Sequence, residues 1–153
     1  MRGVMDWAAA RGHLHVVIWL HENRSEGCTT DAMNCAASNG HLDVVIWLHE
    51  NRKEGCSQSA MHEAIENGHL HVVIWLNENR REVSEDYAIG AYSDAMYWTV
   101  SNGHLHVVKW LCENKKDSWW FDTALTKGVR SAKKYGHSHI VDYLESIIDD
   151  LDK

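Results

Sequence analysis

The chain has 153 residues and a formal charge of −7, with 15 Lys and Arg against 22 Asp and Glu and 12 His counted neutral. That length holds a single domain with a real core. The acidic balance excludes a general phosphate-backbone binder, which would carry a basic footprint, so no nucleic-acid partner is expected. No apolar run approaches the roughly 18 residues of a membrane helix, so no membrane partner is expected either. The start, MRGVMDWAAARG, lacks a secretory apolar stretch. The four Cys follow no zinc spacing and are expected as reduced thiols, which places the protein in the cytoplasm or another intracellular compartment.

Four stretches are near copies of one another: residues 11–24, 39–52, 67–80 and 102–115. Aligned on the glycine before His, the copies fall at Gly12, Gly40, Gly68, Gly103 and Gly136, with spacings of 28, 28, 35 and 33 residues. Five copies at such a period predict an all-α solenoid of five stacked helix–turn–helix repeats, over about 1–29, 30–57, 58–92, 93–125 and 126–153. The first copy begins at its first helix with Met5 and Trp7 expected on the surface. That face looks uncapped, as in a fragment of a longer array or a self-associating end. In the second copy Asp31 is the expected N-cap and AMNCAAS a short Ala-rich helix, which Asn39 and Gly40 end. The second helix starts near His41 and carries an apolar stripe of Leu42, Val45 and Leu48, widened by Val44 and Trp47. KEGCSQ closes the turn and Ser59 caps the next unit. Trp19, Trp47, Trp75 and Trp110 recur at one position and are expected to fill the space between layers. The fifth copy ends in YLESIIDDLDK, polar and acidic as a terminal repeat must be.

With DAMNCAASNGHLDVVIWLH and SAMHEAIENGHLHVVIWLN written out, the chain resembles ankyrin repeats. Asp31, Met33, Ala36, Ala37, Gly40, His41, Leu42, Val44, Val45 and Leu48 match the family pattern, and His62 matches its characteristic histidine. The wording around WLHENR is similar to a short-repeat variety seen in oomycetes and large viruses. Gly12 to Asp31 and Gly40 to Ser59 each span 19 residues, about five fewer than the family's 33-residue repeat requires. The missing residues are those of the projecting β-hairpin finger, so fingers are expected to be short or absent in the first repeats. The third and fourth junctions, at 26 and 24 residues, have room for fingers or extended loops.

Candidates for chemistry are weak. The pairs His13/His15, His69/His71, His104/His106 and His137/His139 would point about 200° apart on a helix and could not chelate one ion. The first His of each pair is expected to hydrogen-bond across its own helix start. HEAIE at 62–66 lacks the second His of a zincin helix. There is no nucleophile elbow, phosphate loop or dinucleotide fingerprint. The chain is therefore expected to be no enzyme, with no metal and no cofactor.

Binding is the better expectation, because stacked repeats offer a long surface. The resemblance places the two residues before each Gly-His on that concave surface, which gives Ala10, Arg11, Ser38, Asn39, Glu66, Asn67, Ser101, Asn102, Lys134 and Tyr135, with Arg11, Ser38, Asn39, Glu66, Asn67, Ser101 and Asn102 as the candidate contacts. Two further features stand out. Ile18, Ile46 and Ile74 are in register and either bury against a neighbouring helix or form an apolar strip for self-association. The junction residues Trp119, Trp120 and Phe121, with Tyr87 and Tyr92 near the adjacent junction, either plug an irregular interface or anchor a partner. The expected function is a non-catalytic scaffold that binds another protein. The alternative is a structural segment of a longer array, acting as a spacer or self-association module.

Overall fold

The computed structural model describes residues 3–80, 91–115 and 121–151. Ten helices lie in these residues, which contain no strand. They pair as α1 (Val4–Ala10) with α2 (Leu14–Asn23), α3 (Thr30–Ser38) with α4 (Leu42–Asn51), and α5 (Gln58–Glu66) with α6 (Leu70–Asn79). The last two pairs are α7 (Ala91–Ser101) with α8 (Leu105–Lys115), and α9 (Phe121–Tyr135) with α10 (Ser138–Leu151). The chain clusters into two compact units, residues 1–64 with 71–87, and residues 65–70 with 88–153. In the first unit α1 packs on α3 and α2 on α4; in the second α7 packs on α9 and α8 on α10.

The turn between the helices of each repeat is set by its glycine. Gly12, Gly40, Gly68, Gly103 and Gly136 have φ between 70° and 80°, the left-handed region that other residues resist. At the far end of each second helix, the amides of Asn23, Asn51, Asn79 and Asn114 donate at 2.9 Å to the carbonyls of Trp19, Trp47, Trp75 and Trp110. Each bond adds a side-chain donor to a carbonyl of the last turns and so ties the Asn back onto its own helix.

The first helices are capped two residues earlier than the sequence suggested. Thr29, not Asp31, caps α3: its hydroxyl accepts the Asp31 N–H at 3.1 Å. Ser57, not Ser59, takes the same role before α5, accepting the Ser59 N–H at 3.3 Å. A cap two residues out lets the preceding repeat hold it. Asp6, 1 % exposed, accepts the Thr29 N–H at 2.8 Å and its hydroxyl at 3.1 Å. One repeat on, Asn34 accepts the Ser57 N–H at 2.9 Å and donates to its hydroxyl at 3.0 Å.

The core is made of Val, Leu, Met and Ala. Val17, Met33, Val44, Val45, Leu48, Val72 and Leu76 are all buried, and each large side chain stabilises the fold by about 1.5–3 kcal/mol. Met5, expected on the surface, is buried at 3 %. The tryptophans do not fill the core. Trp47 and Trp75 lie half-buried at its rim, edge-on to His21 and His49 of the preceding repeat, with centroids 5.2 and 5.1 Å apart. Trp19 is 53 % exposed.

Residues 24–29 and 52–57 are tight, strandless turns, as their length requires. Gly27 and Gly55 (φ 71° and 67°) bend them. Arg52 lies over Gly27, pairs with Glu54, and sets Nη1 3.2 Å from His21 Nδ1. Of the two later junctions, residues 81–90 and 116–120 lie outside the described residues. The stretch FDTALTK is neither finger nor loop but the start of α9. Phe121, Ala124, Leu125 and Gly128 bury there at helical spacing. Gly128 lets α9 approach closely, since a Cβ there would come within 3.1 Å of Leu144 Cδ1.

Two predictions follow from these contacts. Asn34→Ala leaves the Ser57 N–H without its acceptor and is expected to lower unfolding free energy by about 1–3 kcal/mol in urea titration. The Arg52 hydrogen bond holds the Glu54 carboxyl down from 4.5 to about 2. A depressed carboxyl stabilises the fold above the unfolded value and loses that effect as pH falls through the folded one. Glu54→Gln is therefore expected to flatten the loss of thermal stability between pH 4.5 and about 2.

Candidate binding surface

Before a surface can be assigned, the histidines must be accounted for. The first His of each pair is the N-cap of its helix, not a helical residue: His13 has ψ 66° and His41 has ψ 72°. The two rings of a pair therefore come together, 6.1 Å apart for His13 and His15, 5.9 Å for His104 and His106, and 6.1 Å for His137 and His139. The expectation that they point apart fails for this reason. Of the first members, His13 and His41 make no side-chain hydrogen bond across their own helix start. The second members reach back to the preceding turn: His71 Nε2 donates to the Gly40 carbonyl at 2.9 Å and His106 Nε2 to that of Gly68 at 2.7 Å. His137 Nε2 donates to the Ser101 carbonyl at 3.0 Å. Burial, with His106 beside it, holds His104 below the ordinary imidazole range. Its ring covers Gly68, where a Cβ would lie 2.6 Å from Nδ1.

Among the described residues, no group of three or more His, Cys, Asp or Glu could hold a metal ion. Burial, then Glu54, raises Cys28 to about 11, and burial raises Cys112 to about 12, so both remain protonated. Among the described residues no helix is long and apolar enough to cross a membrane.

In the first unit, Arg11 is exposed and its guanidinium lies 4.3 Å over the ring of Trp7. Asn39 is exposed, but its amide donates to the Cys35 carbonyl at 2.8 Å and caps its own helix. Ser38 is half-buried. Ile18, Ile46 and Ile74 are each half-buried, so they do not form an open apolar strip.

The second unit gathers more. Glu66 and Asn67 end α5; the Glu66 carbonyl accepts the Asn102 amide at 3.0 Å. Asn67 and Asn102 are exposed. Ser101 donates to the Tyr97 carbonyl at 2.7 Å and meets the Ser131 hydroxyl at 3.0 Å. Beside this row stands an aromatic cluster, of which the resemblance placed only Tyr135 on the surface. Trp98, 41 % exposed, meets Tyr97 edge-on at 5.1 Å. The Tyr97 hydroxyl lies 3.4 Å from that of Tyr135, which is 45 % exposed. The Lys134 ammonium sits 5.0 Å from the Tyr135 ring. The signal for this cluster was in the alignment. Five residues before the turn glycine stand Cys35, Glu63 and Ser131, but also Trp7 and Trp98. A large aromatic at a position that needs none for packing marks a surface feature.

The junction aromatics divide. Phe121 is 2 % exposed, so it is a core residue of α9 and not an anchor for a partner. It comes to the core because its stretch is helical. Tyr92 lies in α7, with its side chain outside the described residues, and Tyr87, Trp119 and Trp120 lie outside them altogether.

The geometry described above, a glycine-ended first helix followed by a histidine-capped second, agrees with a family model. A model for ankyrin repeats (3 copies) matches residues 5–87. The chain belongs to the ankyrin-repeat family. Such repeats are generally modules of protein–protein interaction and are typically not catalysts. No curated protein matches the chain.

The hydrogen bond from Tyr97, and then Lys134, draws the Tyr135 phenol below the ordinary tyrosine range. Tyr97→Phe is expected to move the Tyr135 ionisation up, read by its absorbance change on alkaline titration against a Tyr135→Phe control. An unmoved curve would mean the two hydroxyls are not paired in solution.

Proposed function

We propose that the protein is a non-catalytic intracellular scaffold that binds another protein through the turn edge of its second unit. Tyr97, Trp98 and Tyr135 would be the anchor, with Ser101, Asn102, Glu66 and Asn67 as the polar rim. The observation that carries this reading is the cluster itself: two large rings, 41 % and 45 % exposed, bridged through Tyr97 across adjacent repeats. Aromatic side chains lose little entropy on binding and dominate interface energetics. The basic side of α9 adds a chemical preference. Lys127, Arg130 and Lys134 are exposed there on a chain whose net charge is −7. A segment that combines an apolar side chain with nearby carboxylates would fit. In the first unit Trp7 and Arg11 form a smaller platform of the same kind. Trp119 and Trp120 remain candidates to extend the anchor.

The test is selection of peptide ligands from a displayed library, followed by affinity measurement on variants. Trp98→Ala and Tyr135→Ala are each expected to weaken the selected ligands by about 10–30-fold, the loss typical of an anchor residue, with far-UV circular dichroism unchanged. A spacer would select no ligand at all. Ligands that bind both variants as well as the parent would place recognition elsewhere.

A further inference from the structure

His104 lies among the stacked turns of the second unit. Its ring covers Gly68, so closely that a Cβ there would lie 2.6 Å from Nδ1. It hydrogen-bonds the Glu66 backbone carbonyl, which also accepts the Asn102 amide at 3.0 Å. Two further imidazoles join it. His106, with its ring centroid 5.9 Å away, donates from Nε2 to the Gly68 carbonyl. His137, from the following repeat, covers Gly103 and donates from Nε2 to the Ser101 carbonyl. Nε2 of both rings already carries a hydrogen, so a further proton enters at Nδ1 and makes the ring a cation.

Little stands near these rings to offset such a charge. The preceding turn contributes Glu66 and His69, the helix start itself His106, and the following turn Lys134, Tyr135, His137 and His139. Glu66 is the one carboxylate among them. Lys109, five residues after His104 on the same helix, adds another cation. The carboxylates of the packed helices lie more than a turn along their axes, Asp94 nine residues before Gly103 and Asp142 five after His137. Burial, then the charges of His106 and His137, lowers His104 from the ordinary 6.5, against the pull of the Glu66 carbonyl. The second repeat differs at one position. Asp43 stands where other repeats carry His15, His71, His106 and His139, so His41 has a carboxylate two residues away.

We propose that these turns form an acid-operated latch: a proton on His104, crowded by His106 and His137, drives its ring from Gly68 and opens the seam that Glu66, Ser101 and Asn102 share. The latch does not depend on the binding role proposed above. The neutral His104 ring is the form the fold prefers. That preference stabilises the seam fully above the unfolded imidazole value near 6.5, and is lost progressively as pH falls from there toward the depressed folded value.

Amide hydrogen exchange at about pH 7.5 and about pH 5.5 reads the seam locally, as protection factors corrected for the pH dependence of exchange itself. The His104 amide, bonded to the Thr99 carbonyl, and the Val108 amide, bonded to that of His104, report on the latch. The His41 and Val45 amides, bonded to the carbonyls of Ala36 and His41, are the reference. At about one pH unit below the ordinary imidazole value, a single ring kept neutral weakens the seam by at most about tenfold. The His104 and Val108 amides are therefore expected to lose about 3- to 10-fold in protection, and the reference amides less than about twofold. His104→Asn, which keeps a capping side chain, is expected to abolish the difference. His106→Gln, which keeps a donor for the Gly68 carbonyl, is expected to reduce it. The wild-type and His106→Gln data decide the matter even where His104→Asn fails to fold. Equal wild-type protection of the His104 and Val108 amides at the two pH values would overturn the proposal. So would an equal loss in both turns, which is general acid destabilisation, or a loss in His106→Gln as large as in the wild type.

Discussion

The structure depends on one constraint: no helix pair here can bury both of its faces by itself. The seam between repeats supplies the remedy. On one side a glycine turns the chain in a left-handed conformation and leaves its carbonyl and an open patch of backbone. On the other side a histidine at a helix start lays its ring over that patch, and its neighbour two residues on donates to the carbonyl. Each element requires the other. A side chain at the glycine would strike the ring, and without the ring a backbone acceptor would lose its partner. A second set of contacts runs beneath. Asp6 and Asn34 hold the capping residues of the next repeat, so the starts of α3 and α5 are fixed by the repeat before them.

This division of labour assigns the seam residues to packing and leaves the turn edge outside it. Of the histidines, which a chemist would first suspect, His71, His106 and His137 are occupied with backbone carbonyls. Burial keeps the Cys28 and Cys112 thiols protonated. The residues released from packing lie along the turn edge, where they can vary without disturbing the seam. In the second unit that edge has acquired Trp98 and Tyr135, side chains far larger than any packing role requires there.

Much of this was legible in the sequence, because packing repeats when sequence repeats. The helix pairs and the turn glycines follow from the period, and the strandless first junctions from their short length set against the resemblance to ankyrin repeats. What was missed lay in contacts between repeats. Asp31 looks like a cap by residue type, yet the cap is Thr29, since only that position can be reached from Asp6. The repeated tryptophans look like core by hydrophobicity, yet the shorter Val and Leu fill the core and leave the indoles at the rim. Phe121 looks like part of a loop because it follows two tryptophans, yet Ala124, Leu125 and Gly128 continue its helical face into the core. Tyr97, Trp98 and Tyr135 come from two repeats, and no single-repeat motif brings them together.

The most direct test of the seam compares one motif position in two settings. His137 covers Gly103 and donates to the Ser101 carbonyl, whereas His13 covers no turn glycine among the described residues and is exposed. Urea unfolding of His137→Ala and His13→Ala measures what the ring contributes in each. If the histidine acts across the seam, His137→Ala lowers stability by about 1–3 kcal/mol and His13→Ala by less than about 0.5. Equal losses would show that the ring serves its own helix start, and the seam would not be what holds the repeats together.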